Sequence, residues 1–250
     1  MDHRRDNLPQ PLKHDSDHVT GRRWGGVIWA IMFPSLLTAV YFILLAGSPS
    51  GWQQAVFVVG KVVQFAFPLI WVAWVLSEPL KARTNSRQYW TPSVTFGLTV
   101  LLVMLGLAHW WLIPFGSLEN TADMVRQKIE NLGINSIWRY AAVGVFYVAC
   151  HSFLEEYYWR WFVFGQLCRL IKTPPAIVIS SLGFMAHHVI LLAVYFGWNN
   201  PLTYLLSFCV AFGGAVWAWL FLQSRSLLGV WMSHALVDAG IFILGYQLAM

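Results

Sequence analysis

Along this chain, apolar runs about as long as a membrane is thick alternate with short polar connections. Seven runs qualify, with soft edges: 24–47, 52–77, 92–115, 138–167, 174–197, 202–222 and 226–248. A helix rises about 1.5 Å per residue, so about 20 apolar residues cross a hydrocarbon core of about 30 Å. The fourth run is overlong and carries charges near its end. No internal repeat is evident, and no Pro/Gly/Ser-rich linker divides the chain. The pattern predicts one all-α domain at residues 24–250, a polytopic transmembrane helical bundle of about seven spans. Residues 1–23 are polar and are expected to form a flexible tail. Residues 117–136 differ: Leu118, Met124, Val125, Ile129 and Leu132 recur near helical spacing among charges. That pattern predicts an amphipathic helix lying on the outer surface.

Composition narrows the class. Of 250 residues, 58% are hydrophobic and only 11% are charged. Soluble domains carry roughly 25% charged residues, and a chain of this size has too much surface to cover with fewer. A water-soluble enzyme, a disordered protein and a coiled coil are therefore excluded. Seven of the 15 Trp fall near span ends, where an aromatic belt accounts for them. Cys150, Cys168 and Cys209 sit in or beside apolar runs and form no secreted disulfide framework.

The net charge of +5 needs no nucleic-acid partner. Eleven of the 16 Lys and Arg fall on the side of the N-terminal tail, and two, Arg126 and Lys128, on the opposite side. Lys61, Arg139 and Arg160 lie within spans. Positive residues concentrate on the cytoplasmic face, so the N-terminus is expected inside and the C-terminus outside.

A charged or ionisable group at membrane depth costs at least about 2.5–3.5 kcal/mol on insertion scales, so each needs a reason. The fourth span holds His151, Glu155, Glu156 and Arg160. Glu156 and Arg160 are four apart with the acid N-terminal, the favourable order for an ion pair on one helix face. Glu155 lies about 100° round the helix from Glu156. Within its own helix only His151 can reach it, and a carboxylate in a partly dry site can act as a general base. The fifth span holds His187 and His188, and the seventh holds His234 and Asp238, again four apart. Counted from the expected cytoplasmic ends, Glu155, His188 and His234 lie about 18, 21 and 12 Å deep. One polar residue in a span is more often a packing residue than a catalytic one, but three clusters at similar depth suggest a shared layer.

These residues carry a resemblance. EEYYWR at 155–160, FMAHH at 184–188 and HALVD at 234–238 stand in order on separate spans. They resemble the EExxxR, FxxxH and HxxxN/D pattern of the CPBP family of intramembrane endopeptidases, named for CAAX-prenyl proteases and bacteriocin-processing enzymes and also called the Abi family. The resemblance covers 155–238 and places a protease core at 138–248. It implies hydrolysis of a peptide bond within the membrane, near the C-terminus or membrane anchor of a protein substrate, without a covalent acyl-enzyme. Carried over, Glu155 is the base that activates water and His188 helps hold that water. His234 and Asp238 bind the carbonyl oxygen as charge develops. Glu156 and Arg160 orient the site, and Phe184 packs beside His188. Position 238 is Asp where the family often has Asn, and an ionised Asp cannot donate a hydrogen bond. His187 competes with His188, and the FxxxH spacing selects His188.

Glu155, His188 and His234 could together hold zinc. The HExxH signature is absent, however, and the resemblance implies glutamate-dependent catalysis without a cofactor. The expected partners are the lipid bilayer and a protein or peptide with a lipidated or membrane-anchored C-terminal segment, not nucleic acid. Two other classes compete: an ion- or proton-coupled transporter, which would more often show two similar halves, and a non-catalytic bacteriocin-immunity-type membrane protein.

Overall fold

The computed structural model describes residues 17–79, 89–134 and 136–249, and no strand occurs among them. Ten α-helices follow in order: α1 Asp17–Ala39, α2 Ser50–Ile70, α3 Trp90–Leu107, α4 Glu119–Asn131, α5 Ile137–Val145, α6 Ser152–Glu156, α7 Gly165–Leu170, α8 Thr173–Phe196, α9 Pro201–Ser224 and α10 Leu227–Ala249. Seven helical stretches are long and apolar enough to cross a membrane: Asp17–Leu44, Gly51–Val75, Trp90–Leu112, Ile137–Leu170, Thr173–Phe196, Pro201–Ser224 and Leu227–Ala249. Each overlaps one expected span. The protein is an all-α, multi-pass integral membrane protein. The first helix starts at Asp17, so the last seven residues of the expected tail are already helical. The rest of that tail, with His3 and His14, and the loop basic residues Lys81, Arg83 and Arg87 lie outside the described residues.

The fourth stretch explains its own excess length. It is helical throughout, but Phe146–His151 and Tyr157–Phe164 are π-helical, and α6 is a five-residue α segment between them. A π-helix closes its hydrogen bonds five residues apart, uses more residues per turn, and is frequent at functional sites, although Val40–Leu44, Trp71–Val75 and Ala108–Leu112 are π-helical too.

The chain divides into two compact units, each drawn from three stretches. The first comprises Met1–Ala82, Tyr158–Leu191 and Tyr204–Trp219. The second comprises Arg83–Tyr157, Leu192–Thr203 and Leu220–Met250.

In the first unit α1 packs on α2 and α7. Trp29 stacks on Phe33 and on Phe67, and Phe67 meets Phe162 edge-on. The Tyr158 hydroxyl donates to the Ala30 carbonyl at 2.8 Å. Arg23, read from sequence as a tail residue, is buried. It donates from Nη1 to Gln166 Oε1 at 2.7 Å and from Nη2 to Glu78. Arg169 donates to both oxygens of Glu78 at 2.7 and 2.6 Å. Burial disfavours ionisation of Glu78. The hydrogen bond from Arg23 and the charges of Arg169 and Arg23 outweigh it, so the carboxyl's pKa lies below its ordinary value. Lys61 is accounted for nearby: its ammonium lies 5.5 Å from the Phe57 ring centre and 5.4 Å from that of Phe65, a cation–π arrangement.

In the second unit α10 packs along α3 and also meets α4, α5 and α6. Small residues permit the α3–α10 approach. A Cβ at Gly97 would stand 2.6 Å from the Ser233 carbonyl oxygen and 2.9 Å from its Cα. Gly229 faces Ser93 in the same way, at 3.3 Å from Oγ. Ser93 and Gly97 are four apart on α3, and Gly229 and Ser233 are four apart on α10. Two small-xxx-small faces thus cross, and they fix the residue just before His234. The other side of α10 is tied to the fourth stretch. Tyr140 donates to Phe242 O at 2.8 Å, and Trp231 donates to Ala149 O at 2.9 Å. The segment expected to be amphipathic forms α4. Leu118, Thr121 and Ala122 are buried, and the Thr121 hydroxyl donates to Tyr195 O. Met124 and Leu132, expected on the apolar face, are exposed.

Candidate active site

Four of the six expected site residues come together in the second unit. Glu155 and Glu156 stand on α6, and His234 and Asp238 stand one turn apart on α10. Glu156 is fully buried, and Glu155 and His234 nearly so. The imidazole of His234 lies among three carboxyl groups. Its Nδ1 is 2.7 Å from Glu156 Oε1. Its Nε2 is 3.8 Å from Glu155 Oε2 and 3.5 Å from Asp238 Oδ1. A carboxylate only accepts, so the Nδ1 contact makes that nitrogen the N–H donor.

Helical spacing suggested that Glu155 and Glu156 face different ways. They meet the same ring because its two nitrogens point in different directions, one toward each carboxyl. The expected stacking of His234 and Asp238 is present. His151, four residues before Glu155, places Nε2 3.3 Å from Glu155 Oε1. Tyr147 lies against the His151 ring at 5.0 Å between centres. Beneath this, Ser152 is buried and donates its hydroxyl to Val148 O.

The boundary between the units falls between Tyr157 and Tyr158, so Arg160 and His188 belong to the first unit. There Phe184 is a buried hub. The Arg160 guanidinium carbon sits 4.8 Å from its ring centre and 5.3 Å from that of Trp217. Arg160 Nη2 also donates to Gly214 O at 3.4 Å. His188 lies 4.7 Å from Phe184, ring to ring, and its Nδ1 is 2.8 Å from Phe184 O. A carbonyl only accepts, so Nδ1 carries a proton in this contact. His187 is different. It is buried and lies parallel to Trp159, 5.8 Å away and tilted by 5°. That is the environment of a packing histidine.

Close packing holds this half in place. A Cβ at Gly183 would stand 3.0 Å from Trp159, and one at Gly214 would stand 3.3 Å from Phe184. The spacing of motifs could find Glu155, His188 and His234. It could not find Gly97, although SVTFG and GVWMS carry the small-residue spacing that positions α10.

Among the described residues no group of three His, Cys, Asp or Glu side chains is arranged to hold a metal ion.

Residues 137–240 match the family model described as Type II CAAX prenyl endopeptidase Rce1-like. This segment, less than half of the chain, is similar to the domain of that family. It contains EEYYWR, FMAHH and HALVD, and it is consistent with a CPBP-family protein. The match supports a hydrolase of the intramembrane endopeptidase kind. Neither the curated proteins nor the solved structures gave a match.

Proposed function

We propose that the Rce1-like domain hydrolyses a peptide bond with water activated by Glu155. The observation that carries this reading is one buried imidazole, His234, within reach of Glu155, Glu156 and Asp238 inside a membrane-spanning helical protein. The Glu155 carboxylate takes a proton from water as the water oxygen attacks the scissile carbonyl carbon. The C–N bond then breaks, and the proton passes from Glu155 to the departing amine nitrogen.

Charge develops on the carbonyl oxygen during attack, and a preorganised donor stabilises it. His234 supplies that donor from Nε2 in its imidazolium form, with Nδ1–H held by Glu156. Asp238, 3.5 Å from Nε2, orients the ring and offsets its charge. This differs from the role carried over by resemblance, because an ionised Asp has no proton to donate. His188 enters through its motif as the second imidazole, and Arg160 as a fixed cation. No step requires a cofactor.

The substrate is a protein whose C-terminal segment is lipidated or otherwise anchored in the bilayer. The charge bias of the loops supports a cytoplasmic N-terminus.

The test is cleavage of a panel of membrane-anchored C-terminal peptides by the purified protein and by Glu155→Gln, with and without a zinc chelator. The expected result is cleavage by wild type alone, unchanged by chelator. Equal cleavage by Glu155→Gln would remove Glu155 as the base. Loss of cleavage on chelation would replace the metal-free mechanism. Proton-coupled uptake into vesicles, with no cleavage, would favour a transporter.

A further inference from the structure

The two oxygens of Glu155 have separate surroundings. Oε1 is 3.3 Å from His151 Nε2, and Oε2 is 3.8 Å from His234 Nε2. His151 belongs to none of the three motifs. It ends the π-helical stretch Phe146–His151, and α6 begins at the next residue. Its side chain is 17% exposed against 6% for Glu155, so it stands on the outer side of the buried carboxylate. It is braced as well: Tyr147 lies against its ring, and Tyr147 in turn lies 5.6 Å from Phe242 of α10. A carboxylate on a three-torsion side chain has wide rotational freedom, and one tethered oxygen removes most of it.

We infer that His151 is the positioning residue of Glu155: by holding Oε1 it turns Oε2 toward His234 and the reacting water. The inference rests on Glu155 being the base. It does not make His151 a catalytic residue, since it acts through Glu155. A displacement of about 1 Å at a reacting group can cost on the order of 100-fold in rate. Loss of the tether therefore shows in turnover and not in binding.

The experiment measures kcat and KM separately for His151→Leu and His151→Gln, on whichever anchored peptide wild type cleaves. It includes Glu155→Gln and the double variant Glu155→Gln/His151→Leu. Leu removes the donor, whereas Gln keeps an N–H that can reach Oε1. The expected result for His151→Leu is a kcat lower by about 10- to 100-fold with KM within about twofold. His151→Gln recovers most of that loss. In the Glu155→Gln background, His151→Leu has no further effect. Detergent size-exclusion profiles show which variants are folded, and the Gln variant keeps the test open should the Leu variant aggregate.

Wild-type kcat in folded His151→Leu overturns the inference while leaving the role of Glu155 standing. So does a kcat in His151→Gln as low as in His151→Leu. Full activity of Glu155→Gln overturns the parent reading instead, and the two failures are therefore distinct.

Discussion

Replacing Gly97 by Ala tests whether the helix contact behind His234 governs the site. The new methyl would lie 2.6 Å from the Ser233 carbonyl oxygen and 2.9 Å from Ser233 Cα. Both are backbone atoms of α10, so no side chain can swing away. An ordinary contact begins near 3.4 Å. The helices must therefore part by about 0.8 Å, and His234 is the next residue along. Overpacking of this kind costs about 1–3 kcal/mol. For a chain of this size each kcal/mol shifts the melting temperature by about 2–4 °C, so the expected fall is about 2–12 °C. His234 moves relative to Glu155 and Glu156 by most of an ångström, and cleavage falls by about 10- to 100-fold. Gly25→Ala on α1 is the control, because a Cβ there meets nothing within 4 Å. The assay pairs thermal unfolding in detergent with peptide cleavage. Wild-type melting and wild-type cleavage in Gly97→Ala would refute the close α3–α10 approach and its link to His234.

Three further outcomes are expected. Glu156→Ala removes the acceptor of His234 Nδ1–H, which costs about 1–3 kcal/mol in a thermal melt and lowers kcat more than KM. His187→Phe keeps the flat contact with Trp159 and retains cleavage, whereas His188→Phe loses it; the reverse pattern would transfer the motif role to His187. Acid weakens the Arg23–Glu78–Arg169 network. Glu78 ionises at lower pH folded than unfolded, so its contribution is complete above the unfolded value of about 4.3 and is lost as pH falls through the folded value. The melting difference between wild type and Glu78→Gln should therefore shrink in acid, and a difference independent of pH would contradict the ion pairing.

The spans were legible because hydropathy over 20 residues is a strong signal, and the expected edges differ from the structural ones by a few residues at most positions. The encounter of Glu155 with His234 was legible as motif order and as depth. The π-helical stretches on either side of α6 were not, because the choice between hydrogen bonds four and five residues apart is made by packing and leaves no mark in the hydropathy. Arg23 was misread because its burial is tied to partners 55 and 143 residues away, Glu78 and Gln166. A basic residue ahead of a first span otherwise looks like any cytoplasmic flank. For α4 the spacing marked Leu118, which is buried, but not Thr121 and Ala122, which are buried beside it because α4 meets α10 there.

The contact between His234 and Glu156 spans 78 residues of sequence, and that interval is also one of time. At about 5–20 residues per second, the ribosome adds those residues in about 4–16 s. The stretch Ile137–Leu170 is the least apolar of the seven, and it enters the membrane carrying two glutamates whose imidazole has not been made. Its insertion therefore leans on the helices already present, and the site can assemble only once α10 has been made. A chain stopped short of α10 would hold both carboxyl groups in the bilayer without the ring that gathers them, and quality-control proteases would meet it in that state.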